Sequence, residues 1–522
     1  MSARGFRGAG EARTARSGSP GGGTGAARPR SSDLVGLTEP LPPSPYLNAD
    51  LAPVPVERRT WNLWHFASLW VGLSVCIPTY MLAASLIQAG MTWWQALLTI
   101  LLGNVIVLVP LLINAHAGTR YGIPFPVYLR AAFGPRGAHL PALLRAVVAC
   151  GWFGIQTWIG GLAIHEILGT LSPGWRGLGG AWTLMGFGLP VWLGFGAFWL
   201  MNLWFIWKGT ESIKWLETLS APFLIAIGLA LLWWAAARVG GLGAMLARSG
   251  ALAGAGASRA SFGALFLPWL TAMVGFWATL ALSIPDFTRF ARSQRDQVAG
   301  QALGLLTTMP LFAFIGVAVT GATVILYGKA IWNPVELVGR LSAESGSPAL
   351  AVLALSAILV ATLTTSIAAN IVAPANALAN LSPRRISARL GGVLAALAGV
   401  AIMPWKLLDA YQTWLLSYSG LLGAVGGVLV CDYALLRRGR LRLRDLYAEG
   451  GAYAYHRGVN RKAVAAVLAG ILTALAGTLH PRLAFLFSGA WFSAGIVSFA
   501  LYYVLMRPGP AGVPAAAVAE EA

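Results

Sequence analysis

Cysteine is nearly missing from this chain of 522 residues. There are three, Cys76, Cys150 and Cys431, all in apolar surroundings and none at metal-ligand spacing from another. A disulfide framework and a zinc site are both excluded on that ground. Charge is scarce too, at 11% of residues, and negative charge scarcest, with 18 Asp and Glu against 37 Lys and Arg. Of the carboxylates only Glu166 falls well inside an apolar run, while Asp286, Asp409 and Asp432 lie near run ends. A carboxylate proton relay through the middle of a membrane is therefore poorly supplied. His65, His116, His139, His165, His456 and His480 sit near run ends or between runs. With no nucleophile–base–acid set, Walker loop or metal cluster, enzyme chemistry has little to rest on.

What is present is apolar length. Hydrophobic residues make up 57% of the chain, and runs long enough to cross a bilayer as helices recur from residue 61 to residue 506. The 63 glycines suit close helix packing in lipid, and some of the 22 tryptophans suit the membrane interface. The net charge of +19 would suggest nucleic acid in a soluble protein. Here the cations lie mostly between runs, which points to topology and anionic lipid headgroups, and away from nucleic acid.

The expected architecture is all-α, an integral membrane protein of twelve transmembrane helices. Residues 1–59, rich in Gly, Arg, Ser and Pro, read as a disordered tail. Residues 60–237 hold five spans, 238–261 a linker, 262–436 five more, 437–462 a basic loop, 463–506 the last two spans and 507–522 a second tail. Twelve spans put both termini on one side. Only Arg176, Arg238, Arg248, Arg259, Lys329, Arg340, Lys406 and Arg482 of the 37 Lys and Arg fall on the other, so both termini are expected in the cytoplasm. Residues 117–140, between the second and third spans, read as a polar, basic loop.

The first span, WNLWHFASLWVGLSVCIPTYMLAASLIQAG, carries Gly72, Ser74 and Pro78 near its middle. Proline removes a donor and crowds the preceding turn, so the helix is expected to break there. Such a break is either a kink or the wall of a binding cavity. The sixth span, LPWLTAMVGFWATLALSIPDF, has a mid-span glycine and a later proline, and reads as a second interrupted helix. Interrupted helices five spans apart point to an inverted-repeat transporter with its site at the midplane.

Two clusters could hold a ligand. In GWFGIQTWIGG of the third span, Trp152 and Gln156 are i and i+4 and share a face. They suit a flat heterocycle carrying C=O and N–H groups, or else an aromatic packing surface. In ATLTTSIAAN of the eighth span, Thr364 and Thr365 present adjacent hydroxyls, with Asn370 nearly two turns on. With carbonyls freed by a broken helix they form a neutral oxygen cage for a monovalent cation, or else bond back to their own helix.

SLWVG and IPTY in span one, MTWWQALL, AGTRYGIPFPVYLRAAFG, GWFGIQTWIGG, VGFW and SIPDFTRF in span six, AANIVAP, MPWKLL and DYALLRRGRLRLRDLY follow one another in order. Over residues 60–506 the chain resembles the nucleobase–cation symporter family one, whose members carry nucleobases, hydantoins and allantoin. The resemblance implies a leucine-transporter-like fold, in which helices one to five and six to ten are inverted repeats and two C-terminal helices are added. It implies a small heterocyclic substrate stacked by Trp152 and Trp277 and hydrogen-bonded by Gln156 and Asn370. It implies a Na+ site from Gly72, Val75, Ala361, Thr364 and Thr365, with Na+ or H+ as coupling ion and no other cofactor. Cys76 stands where an amide is common in hydantoin and allantoin carriers, and Phe276 where the hydantoin branch has glycine. Both changes narrow the pocket toward a compact nucleobase such as uracil or a purine. The reading is thus a symporter of the plasma membrane, monomeric, with an amino-acid or amine transporter of the same fold and an ion channel as rivals.

Overall fold

Nearly every apolar run is helical. The computed structural model describes residues 33–208, 210–248, 261–331, 333–345 and 347–507. Expectations for residues 1–32 and 508–522, and for half of the 238–261 linker (249–260), lie outside these. In order the helices are α1 (Leu63–Ser74), α2 (Ile77–Gln88), α3 (Trp93–Tyr121), α4 (Phe125–Phe133), α5 (His139–Leu171), α6 (Leu189–Lys208), α7 (Thr210–Val239) and α8 (Leu242–Arg248). There follow α9 (Phe262–Ser283), α10 (Pro285–Thr288), α11 (Gln294–Tyr327), α12 (Pro334–Ser345), α13 (Pro348–Asn370), α14 (Val372–Leu381), α15 (Ala388–Ala401) and α16 (Pro404–Asp409). The last are α17 (Tyr411–Val430), continued by a π-helical turn over Cys431–Leu436, then α18 (Arg461–Ala476), α19 (Ala484–Ser488) and α20 (Ala490–Met506). Among the described residues eight helices are long and apolar enough to cross a membrane, or ten if each of two bent pairs is one span. The only β-structure among them longer than an isolated bridge is a two-stranded hairpin, Thr183–Leu184 with Phe187–Gly188, where the fourth span was expected to begin.

The first span breaks as its sequence requires. Asn62 caps α1, accepting from the amides of Trp64 and His65. The helix stops at Ser74, Val75 and Cys76 turn non-helical, and α2 leaves at 56° with Pro78 at its second position. There the missing proline N–H costs nothing, and its ring has no room for a helix continuing through Ser74, four residues back, where α1 ends.

The sixth span corrects its expectation. α9 runs without interruption through Gly275 to Ser283, and only Ile284 separates it from α10. Gly275 serves close approach instead, since a Cβ there would collide with Ser419 of α17. Pro285 opens α10, where proline is tolerated.

Two stretches that read as loop or tail are enclosed. Phe125–Phe133 is a helix with every residue buried. Its Arg130 donates to Asn380 Oδ1 and to the carbonyls of Tyr46 and Leu446, and faces the rings of Tyr46 and Tyr447. Burial pushes this guanidinium down to about 10. Residues 33–59 are anchored to the helices at Leu51, Val54 and Arg59, which are buried, and this corrects the disordered reading for that part of the tail. Arg59 donates to the carbonyls of Val35, Val54, Thr119 and Arg120, Tyr447 donates to Leu51 O, and Asp50 accepts from the amide of Ala388. Most of these partners are main-chain groups far away in sequence, which is why composition alone suggested a loose tail.

Candidate functional site

The break in the first span meets the middle of the eighth. The Thr365 hydroxyl lies 2.9 Å from Gly72 O and 3.0 Å from Ala361 O, and that of Thr364 2.9 Å from Ala361 O. Val75, at the break itself, packs in one apolar cluster with Ala361. Four of the five oxygen-bearing positions expected for a cation are thus gathered by hydrogen bonds, and the fifth lies against them. The donor set is neutral oxygen from two carbonyl segments and two hydroxyls. That composition suits a hard monovalent cation, and no group of His, Cys, Asp and Glu able to hold a metal lies among the described residues. Thr365 also faces the Cys76 thiol, so the residue beginning α2 touches the cage.

A cluster of rings lies beside it. Phe276 meets Trp152 at 5.4 Å between centroids and Trp277 at 4.8 Å, edge-on to both. Trp277 in turn meets Trp70 of α1 at 5.0 Å. Tyr411 and Tyr418 of α17 flank Trp152, whose indole Nε1 donates to the Tyr418 hydroxyl at 3.1 Å. So Trp152, Phe276 and Trp277 are brought together, with Phe276 in contact with both tryptophans rather than glycine leaving a slot. Cys76, fully buried, lies 3.2 Å from Thr79 Oγ1.

Polar groups around these rings are left incomplete. Gln156 Oε1, Asn370 Nδ2, Trp277 Nε1 and Trp70 Nε1 are buried without a partner. An unmet buried group costs about 1–3 kcal/mol, so one acceptor and three donors here favour a ligand offering both N–H and C=O. Gln156 sits one turn from Trp152, and Asn370 ends α13, which packs along α5.

A cavity of about 480 Å³ is lined by Ser85, Gln88, Trp269, Leu408, Tyr411 and Gln412. Tyr411 is shared between this cavity and the ring cluster, and its hydroxyl donates to Pro78 O at 2.9 Å, pinning α17 to α2.

Several residues were missed in sequence. Tyr411 and Tyr418 are i and i+7 and share a face, a signal easily read as interfacial packing. Arg145 was a lone cation in an apolar run, two turns before Trp152. It is fully buried, and donates to Thr279 O of α9 at 2.6 Å and Ala369 O of α13 at 3.0 Å. It thereby ties the third, sixth and eighth spans beside Asn370. Glu166, the one carboxylate expected deep in a span, instead pairs with a half-exposed Arg176 at 2.6 Å near the end of α5.

Residues 53–496 match the family described as permease for cytosine/purines, uracil, thiamine, allantoin. The chain is 43% identical to a purine-uracil permease of Arabidopsis thaliana, over 92% of this chain and 82% of the relative. It is 39% identical to an allantoin permease of Bacillus subtilis, over 89% and 94%. Among solved structures it resembles a nucleobase-cation-symport-1 family transporter in a closed conformation with bromovinylhydantoin bound. The TM-score is 0.72 at 27% identity, covering 90% of this chain and 98% of that one.

Proposed function

The chain belongs to the permease family for cytosine and purines, uracil, thiamine and allantoin, a transporter and not an enzyme, and from that premise we propose that it imports a planar nucleobase or related heterocycle with a monovalent cation, Na+ or H+. The observation that carries this reading is the set of unpartnered amide and indole groups, Gln156 Oε1, Asn370 Nδ2 and Trp277 Nε1, around buried aromatic rings. Trp152 and Trp277 stack the substrate, Gln156 and Asn370 read its edge, and Cys76 and Phe276 bound its size. Gly72, Val75, Ala361, Thr364 and Thr365 hold the cation.

Import proceeds by alternating access in a monomer of the plasma membrane with twelve spans. Residues 60–237 and 262–436 form the two inverted five-span repeats, and 463–506 the added pair. Both termini lie in the cytoplasm, so the cavity beside Tyr411 opens outward and residues 33–59 cover the inner ends of the helices. The Lys and Arg of that inner side face anionic lipid headgroups. Coupling follows because cation and substrate both stabilise the join between first and eighth spans, and such linkage is reciprocal.

The test is tryptophan fluorescence of the full chain with uracil, cytosine, adenine, guanine, hydantoin and allantoin, with and without sodium. At least one compact ring is expected to bind, and silence across the panel would contradict the proposal. Phe276→Gly, which opens the contact between the tryptophans, is expected to improve binding of a hydantoin with a bulky substituent about 10-fold. No change in that preference would remove Phe276 from the pocket.

A further inference from the structure

The SIPDFTRF stretch at the end of the sixth span has no role in the site above, yet it contains a buried acid. Asp286 lies in α10 and is 3% exposed. Its Oδ1 accepts from the amide of Phe125, the first residue of α4, at 3.0 Å, and from Asn376 Nδ2 of α14 at 2.8 Å. Its Oδ2 is buried with no partner. No cation among the described residues pairs with it. A buried carboxylate held by two neutral donors and one bare oxygen carries a large desolvation cost, which binding a proton removes.

The charges acting on Asp286 are those of Arg289 and Arg145. Arg289 donates through Nη1 to Asp50 O and leaves Nε unmet, while Arg145 leaves Nη1 unmet. The other titratable groups on the elements packed against α10 are engaged elsewhere. His116 is bonded to Tyr433 and Tyr121 to Gly439 O, Tyr128 donates to Asn114, and Arg130 holds Asn380 and Tyr46 O. Arg120 stacks on Tyr121, and α14 carries no titratable residue.

The position of this acid matters as much as its burial. α10 ends the sixth span, α4 follows the second and α14 continues the eighth, so one carboxylate oxygen joins three elements at the side covered by residues 33–59. The negative charge sets the strength of that join, because hydrogen bonds to a carboxylate are roughly twice as strong as neutral ones and an anion is favoured at a helix N-terminus.

We propose that Asp286 is a proton-binding site that controls the inner gate, separate from the oxygen cage at Thr364 and Thr365. Ionised, it ties the sixth span to α4 and α14. A proton taken up on Oδ2 from the outer side weakens both bonds, the inner ends part, and the proton leaves to the inner side before the acid re-forms the join. Only the O–H bond forms and breaks. The proposal rests on the alternating-access reading.

The test uses the full chain in proteoliposomes with a trapped pH dye, with uracil and allantoin as probes in sodium-containing and sodium-free buffers. Wild-type protein is expected to acidify the lumen when a probe is supplied outside. Asp286→Asn keeps one oxygen to accept from Phe125 and puts an amide NH2 in place of Oδ2, so it cannot take the proton, and it is expected to bind the probe as wild type does while losing the acidification. Asn376→Ala keeps the acid and removes one donor, so acidification persists and its pH profile moves up by about one unit. Wild-type acidification by Asp286→Asn, or an unshifted profile in Asn376→Ala, overturns the proposal. Probe uptake by wild type without any lumenal pH change also overturns it and leaves the transporter reading standing. Failure of wild type to take up any ring removes that reading itself.

Discussion

Replacing Trp152 by alanine is expected to lower substrate affinity by roughly 100-fold, about 3 kcal/mol, because a buried aromatic face is lost together with the apolar area it covers. The indole also holds Tyr418 through Nε1, so alanine both removes a stacking surface and frees a hydroxyl in the cluster. Trp152→Phe separates the two effects, since it keeps a ring and loses only the donor, and it is expected to retain most of the binding. Fluorescence titration or isothermal calorimetry reads both variants. Wild-type affinity in Trp152→Ala would place the substrate elsewhere in the fold.

Thr365→Ala is expected to weaken the dependence of substrate binding on sodium by roughly 10- to 100-fold in sodium concentration. The basis is the loss of one oxygen from the cage, a hydrogen-bond-sized contribution of about 1.5–3 kcal/mol for a charged partner. This hydroxyl also spans Gly72 O and Ala361 O, joining the first span to the eighth. Thr365→Ser keeps the oxygen and is expected to restore the response. Because excess sodium refills a weakened ion site by mass action, the substrate's affinity at saturating sodium should change far less than the sodium midpoint. An unaltered sodium response in Thr365→Ala would take the eighth span out of the ion site.

The parts of the fold that could be read in sequence were those set by one residue and its close neighbours. Pro78 announced a break, and the chain turns at Val75–Cys76, just ahead of it. The i, i+4 spacing of Trp152 and Gln156 placed both on one face of α5, and both are buried beside the rings and α13. The family resemblance supplied Trp277 and Phe276, which composition and spacing do not single out. What was not legible depends on partners distant in sequence. Gly275 looked like a break, yet the same absence of a side chain serves contact with Ser419, and nothing local separates these uses. Arg59 and Arg130 look solvated because their acceptors are carbonyls far along the chain. Asp286 sits near the end of an apolar run, where an exposed acid is expected, and is enclosed only because α4 folds back over it. Arg145 carried a signal of its own, since an ionisable residue inside a span marks function by default.

The arrangement also gives the proposed coupling of ring site and ion cage a structural basis. Cys76 precedes α2 beside Thr79, Thr365 reaches across to Gly72, and Tyr411 pins α17 to Pro78. Each contact is made beside the same break in the first span. On the proposed reading, a ligand on either side of it stabilises one shared geometry, as symport requires.

The most direct test of the account is uptake of radiolabelled uracil and allantoin by proteoliposomes carrying the full chain, under imposed inward gradients of sodium or of protons. The account predicts accumulation of at least one ring above its external concentration when one of these gradients is present, and collapse of that accumulation when the gradient is dissipated. Equilibration to the external concentration and no further, under either gradient, would contradict it.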